Sequence, residues 1–351
     1  MPAGKPSRKL LLEKLMKMTF AIKTAGCAVA AALLAGSALA KDFNVAVVYD
    51  QAGKFDKSFN EAAYTGAERF KKEFKINYRE GQPSNDAQKE QVLRNMARKG
   101  ADLVVAVGFA YTQSIETVAK EFPNTKFTLV DSVAKGANVQ SIAFKEQEGS
   151  FLVGMAAALK SKTGKVGYLG GMDVPLIRAF GCGYAQGARY VNPKAVVLQN
   201  MLGTTHTAFN DPSRGNELAK SQYDRGADVI FAAAALSNVG VIQAAKASGK
   251  YYIGVDSNQN YMQPGTVLTS MVKRVDNAVY ETMRDAKDGK WKPSTKLMGL
   301  KENGVDWALD QYNRALITPE MEKKIVAARK DIIAGKIKVV DYRAANSCPV
   351  N

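Results

Sequence analysis

The chain has 351 residues, with 49 Lys plus Arg against 33 Asp plus Glu, a formal net charge of +16, one His and three Cys. One histidine excludes a multi-histidine metal centre, and no Cys-x-x-Cys pair is present to hold zinc. Basic residues are interleaved with acids, as at 69–73 (RFKKE) and 320–324 (EMEKK). The charge therefore reads as solvated helix faces, and no nucleic-acid partner is expected.

Residues 25–40 (AGCAVAAALLAGSALA) form an apolar run behind Lys14, Lys17 and Lys23 and end in Ala38-Leu39-Ala40. A basic start, a short apolar core and a small-x-small end predict a secretory signal peptide cleaved after Ala40, hence a periplasmic protein. The run is shorter than the roughly 20 apolar residues of a membrane span. Met16 and Met18 each offer a start that gives a signal of ordinary length. Cys27 precedes most of the apolar core, whereas a lipidated cysteine follows it, so cleavage is preferred to lipid attachment. Removing residues 1–40 takes away six basic residues and one acidic residue and leaves a charge of about +11. Cys182 and Cys348 then remain. In an oxidising compartment they are either a disulfide stapling the tail to mid-chain or two separate thiols.

The remaining length exceeds a comfortable single core and predicts two domains. Apolar runs of strand length recur at 43–50 (FNVAVVYD), 103–108 (LVVAVG), 127–131 (FTLVD), 166–170 (VGYLG), 229–234 (VIFAAA) and 251–256 (YYIGVD). They are nearly continuous, as parallel strands covered on both faces require. Helical periodicity falls between them at 60–74, 86–98, 113–121, 146–160, 177–190, 216–225 and 239–248. This alternation predicts an α/β fold of doubly wound, mostly parallel sheets, which bind ligands beyond the carboxyl ends of their strands.

Those ends carry Asp50, Gly108, Asp131, Gly170 and Asp256. A single aspartate after a strand is explained by a turn or a helix cap. Three together form a set of acceptors for paired hydroxyls. Other chemistry finds little support. His206 stands alone, and neither a Gly-x-Ser-x-Gly elbow nor a phosphate-loop lysine motif occurs. The run 181–187 (GCGYAQG) places Gln186 where a dinucleotide loop needs its third Gly, and it lies within a helical stretch, so close helix packing accounts for it.

The residues 48–60 (VYDQAGKFDKSFN) are the most specific stretch of the chain. With 144–149 (FKEQEG), 187–193 (GARYVNP), 210–212 (NDP), 254–256 (GVD) and 268–273 (LTSMVK), they resemble the basic membrane protein family of periplasmic substrate-binding proteins, which contains the purine nucleoside receptor lipoproteins. The likeness runs from Lys41 to Tyr342. It implies a type I periplasmic-binding-protein-like fold of two lobes joined by three hinge crossovers, expected at 41–143 plus 258–289 and at 144–257 plus 290–351. It further implies a monomeric, non-enzymatic receptor without cofactor, delivering a purine nucleoside or related small polar ligand to the permease subunits of an ABC importer in the inner membrane. An exported nucleoside hydrolase and a receptor presenting ligand to a membrane sensor are the alternatives.

On this resemblance Phe59 stacks on the base, with a core Phe anchoring its helix as the plain alternative. Phe109 is a second wall residue, and Phe180 packs its own helix. Asp50 accepts from the base edge or fixes its loop, and Asn60 reads the base or caps the helix. Asp131 and Asp256 take ribose hydroxyls, and Lys273 donates to a ribose oxygen or pairs with Asp256. Two departures stand out. Residues 234–238 read AALSN where relatives carry a Gly-rich turn, and Phe209 replaces the Trp often found before Asn-Asp-Pro.

Overall fold

The computed structural model describes residues 43–350; the expected export signal, Cys27 and the alternative starts lie outside them. The first part of the chain alternates strand and helix: β1 (Val45–Val48), α1 (Phe59–Phe74), β2 (Tyr78–Gly81), α2 (Lys89–Arg98), β3 (Leu103–Val107), α3 (Thr112–Glu121), β4 (Lys126–Val130) and β5 (Val139–Phe144). The second repeats the scheme: α4 (Glu146–Lys160), β6 (Lys165–Met172), α5 (Pro175–Val191), β7 (Val196–Gly203), α6 (Pro212–Asp224), β8 (Val229–Ala233), α7 (Asn238–Ala247), β9 (Tyr251–Asp256) and β10 (Val267–Lys273). The chain then returns through α8 (Val275–Lys287) and β11 (Ser294–Met298), and ends in β12 (Val305–Trp307), α9 (Pro319–Ile333) and α10 (Tyr342–Ala345).

Two six-stranded sheets result, ordered β11-β5-β4-β3-β1-β2 and β12-β10-β9-β8-β6-β7. All pairs are parallel except β10 with β12. Each sheet reverses its strand order at one point, between β1 and β3 and between β6 and β8, and crevices for ligands open at such points. The central strands β1, β3 and β8 are buried at every residue, which is why they read as unbroken apolar runs. Leu93, Val104, Ile115 and Phe127 pack one core; Leu169, Ile230, Val241 and Tyr252 pack the other. Full burial of each such side chain contributes about 1.5–3 kcal/mol.

Two expected segment boundaries are corrected. The strand at 267–273, expected in the first lobe, is β10 and pairs with β9 in the second sheet. Conversely β11, expected in the second lobe, pairs with β5 in the first, Ser294 opposite Gln140. The chain crosses at Lys145, at Arg274 and in the 299–304 segment. A short link at 257–266 brings β10 back beside β9. Only then does the chain cross to α8, where Asp276 backs directly onto Gly66 of α1 and leaves no room for a side chain there.

Local signals explain several boundaries. At α6, Pro212 occupies the first turn and the Asp211 carboxylate accepts from Arg214 N at 2.9 Å, so the Asn-Asp-Pro triplet is a helix start. Gly183 and Gly187 let α5 press on the backbone of Gln147 and Phe151 in α4. Beyond α9, the tail lies along α5. Gln186 exchanges two hydrogen bonds with Val340, each 2.9 Å, and Cys348 is disulfide-bonded to Cys182. The bridge spans 166 residues of sequence, so Cys348→Ser is expected to cost about 2–4 kcal/mol of stability. Urea unfolding checks this; a loss under about 0.5 kcal/mol would mean that the tail docks without its staple.

Candidate functional site

The carboxyl ends of the two sheets face one another across a cavity. The first lobe lines it with Asp50 after β1, Phe59 at the start of α1, Gly108 and Phe109 after β3, and Asp131 after β4. The second contributes Ile177, Phe209, Ala233, Ala235 and Asp256.

The three carboxylates share one arrangement. Asp50 Oδ1 accepts from Asn60 Nδ2 at 2.6 Å and from Ala52 N at 2.9 Å. Asp131 Oδ1 holds the Lys273 ammonium. Asp256 Oδ2 accepts from Ser58 Oγ at 2.6 Å. In each case the other oxygen has no protein donor among the described residues, although all three side chains line the cavity. Paired on one side and open on the other, they can accept hydrogen bonds from a ligand, and ionised acceptors bind more strongly than neutral ones.

The backbone is held to the same purpose. Asp131, Ala235 and Asp256 have φ of 86°, 48° and 61°, left-handed conformations that cost an L-residue about 1–2 kcal/mol. Such positions persist where surrounding structure over-determines them, commonly at binding sites. Glycine would adopt the turn at 235 without that penalty, which gives a physical reason for the Gly-rich turn expected of relatives.

Asn60 and Lys273, both expected to touch ligand, do not line the cavity. Asn60 is fully buried; besides its bond to Asp50 Oδ1, its Oδ1 accepts from Asp50 N at 3.2 Å, so it fixes the loop above the cavity. Lys273 is 1% exposed and pairs with Asp131 and, at 3.0 Å, with Glu146 rather than with Asp256. Its Nζ lies 5.3 Å from the Phe59 ring centroid, 5.0 Å from Phe144 and 5.3 Å from Phe180. Phe180, buried, also packs on Phe231.

Several further neighbours shape the cavity. Asp56 accepts from the backbone N–H groups of Ser58, Asn60 and Glu61 at 2.8–3.1 Å and so fixes the first turn of α1, which carries Phe59. Its place in the Asp-Lys-Ser-Phe-Asn run was the available signal. Phe209 faces the cavity from the opposite lobe to Phe59. Ser58 and Gln259 tie the lobes together: Ser58 bonds Asp256, and Gln259 Nε2 donates to Lys57 O at 2.8 Å. His206 bridges them too, its Nδ1 3.3 Å from Asp86 Oδ2 and its ring stacked on Phe109 at 5.7 Å. The cleft is therefore closed in this structure.

Burial raises the proton affinity of Asp50, Asp131 and Asp256 above the usual carboxylate range, and Lys273 opposes the rise at the last two. Burial likewise pushes Asp56 up to about 7. Carboxyls that hold protons more tightly folded than unfolded make the native state the greater proton binder between about pH 4 and pH 7. Stability contributed by these groups is thus complete below the unfolded value and is lost as pH rises through that window. Each group adds a slope of up to about 1.4 kcal/mol per pH unit. The ligand-free protein is expected to melt at higher temperature at pH 5 than at pH 8 in a calorimetric scan; the opposite order would show the carboxylates to be stabilised as anions.

Two α/β lobes closed over a cavity at their strand ends define a solute-binding receptor of the type I periplasmic-binding-protein fold. The family described as ABC transporter substrate-binding protein PnrA-like (Bmp) matches residues 43–342, and the chain belongs to it. It is 34% identical over 292 residues to basic membrane protein A of Borreliella burgdorferi, covering 81% of this chain and 84% of that protein. An uncharacterised lipoprotein of Pyrococcus abyssi is 36% identical over 284 residues, 77% of this chain and 70% of its own length. Among solved structures, an ABC transporter solute-binding protein of Aeropyrum pernix superposes with a TM-score of 0.79 at 29% identity, over 85% of this chain and 93% of that one.

Proposed function

We propose that the protein is the exported solute receptor of an ABC importer and binds a purine nucleoside, unaltered, in the interlobe cavity. The observation that carries this reading is the pairing of two kinds of wall: the aromatic rings Phe59 and Phe209 from opposite lobes, and three carboxylates each with an oxygen lacking a protein donor. A base offers flat faces, and stacking on one aromatic contributes about 1–3 kcal/mol. Ribose offers vicinal hydroxyls, which suit Asp131 and Asp256; Asp50 is left for the base edge. Because both lobes supply walls, ligand contacts bias the hinge equilibrium towards the closed state. Export follows from the apolar run before Lys41, and the permease of the importer is the partner that receives the closed complex.

The test is mass spectrometry of small molecules released on denaturing the purified protein, followed by calorimetry with the compound found. A purine nucleoside recovered intact supports the reading. A non-aromatic solute overturns the stacking role of Phe59, and free base appearing on incubation with nucleoside overturns the receptor role.

A further inference from the structure

The C-terminal tail reaches the cavity through a chain of alternating charge. Asp131, on the cavity wall, is paired with Lys273; Lys273 is paired with Glu146 at 3.0 Å; Glu146 is paired with Arg343 at 2.9 Å. Arg343 is held in turn by Asp341 at 2.8 Å and donates from Nη2 to Phe144 O at 3.0 Å, at the first crossover between lobes. Glu146 is wholly buried, and among the described residues no hydrogen bond of good geometry reaches either of its carboxylate oxygens. Among those residues its charge is balanced by Lys273 and Arg343. The segment bearing Arg343 is fastened at both ends to α5, by Val340 on Gln186 and by Cys348 on Cys182. A second recess, lined by Phe109, Asp131, Asp341 and Arg343 among others, adjoins the cavity.

We propose that Arg343, presented by this stapled tail, is a positioning residue of the binding cavity: it neutralises Glu146 and so leaves Lys273 to hold Asp131 as a negatively charged acceptor on the wall. Lys273 is a single cation between two buried carboxylates, with Asp256 a third acid within its field. A buried charge without a partner is strongly disfavoured, and such a group neutralises by taking up a proton. Without Arg343, the single cation Lys273 is shared between two buried carboxylates and holds Asp131 less firmly as an anion. Asp131 then takes up a proton more readily and becomes a donor on the cavity wall.

The inference rests on the cavity being the ligand site, but its test does not depend on the ligand's identity. The side-chain carboxyl carbon of Asp131 is followed by NMR from pH 4 to 9 in the full protein, with D131N assigning the signal. In Arg343→Met the Asp131 midpoint is expected to rise by at least about one pH unit, a tenfold gain in proton affinity. Arg343→Gln, which keeps hydrogen-bonding capacity without charge, should do the same and serves if the Met variant does not fold. Arg343→Lys should restore the wild-type Asp131 midpoint, and so should the double variant E146Q/R343M, which removes both charges of the outer pair and leaves Lys273 to Asp131. Midpoints unchanged within about 0.3 unit in a folded, uncharged variant would overturn the proposal. Calorimetry with adenosine at pH 7 then reads the consequence, an expected loss of about tenfold in affinity for R343M and little for R343K. If wild type binds no nucleoside, the proposed ligand falls while the titration still decides the role of Arg343.

Discussion

Lys273→Met is expected to lower the unfolding free energy by about 3–5 kcal/mol, the cost of leaving buried charge without its partner. Lys273 is 1% exposed, stands between Asp131 and Glu146, and has three aromatic rings within 5.3 Å of its Nζ. Methionine is one heavy atom shorter but fills most of the same apolar sleeve, so the loss reports mainly charge rather than a cavity. The deficit should shrink at acidic pH. In the variant the abandoned carboxyls take up protons, so its native state binds more protons than the wild-type native state. Its stability therefore falls more steeply as pH rises. Urea unfolding at pH 5 and pH 8 measures both effects. A loss under about 1 kcal/mol at pH 8, equal at the two pH values, would show that the cluster is not an ion-pair network.

Phe59→Ala should weaken nucleoside binding by about 10–100-fold, the loss of one base–aromatic stack. The ring is 8% exposed, lines the cavity and is carried on the first turn of α1, which Asp56 fixes through three backbone hydrogen bonds. Truncation also leaves a hole, so a fall in affinity alone would not separate stacking from loosened packing. Free ribose serves as the control. It has no face to stack, and its binding should change far less than that of adenosine. Equal losses for the two would make Phe59 a packing residue and move the base elsewhere in the cleft.

The α/β class was legible in the chain because central parallel strands are covered on both faces and must be continuously apolar. The runs at 45–48, 103–107 and 229–233 show this directly. The edge strands were not legible. β2 (YREG) and β11 (STKLM) are half-exposed and polar, and their strand character comes from the neighbour that pairs with them. β5 is buried throughout but contains Gln140 and Ser141, whose side chains are satisfied by Thr282, Lys292 and Ala134. Polar residues in a buried strand break the apolar signal while folding supplies their partners.

By itself, the sequence determined where strands of both sheets would end, and hence that Asp50, Asp131 and Asp256 would stand at those ends. Phe59 was reached only through the resemblance of its Ser-Phe-Asn run. Only the tertiary structure decided which residues support and which face the cavity. Asn60 turned to Asp50, and Lys273 was drawn from Asp256 to Asp131 and Glu146. It also brought Phe209, Ala235 and the distant Arg343 to the same place. The physical reason is the range over which each property is fixed. Burial pattern and turn chemistry act within a few residues, whereas the partner of a buried charge is set by where the chain crosses between lobes. The lobe bounds expected from the resemblance put β10 and β11 on the opposite side from the strands they pair with.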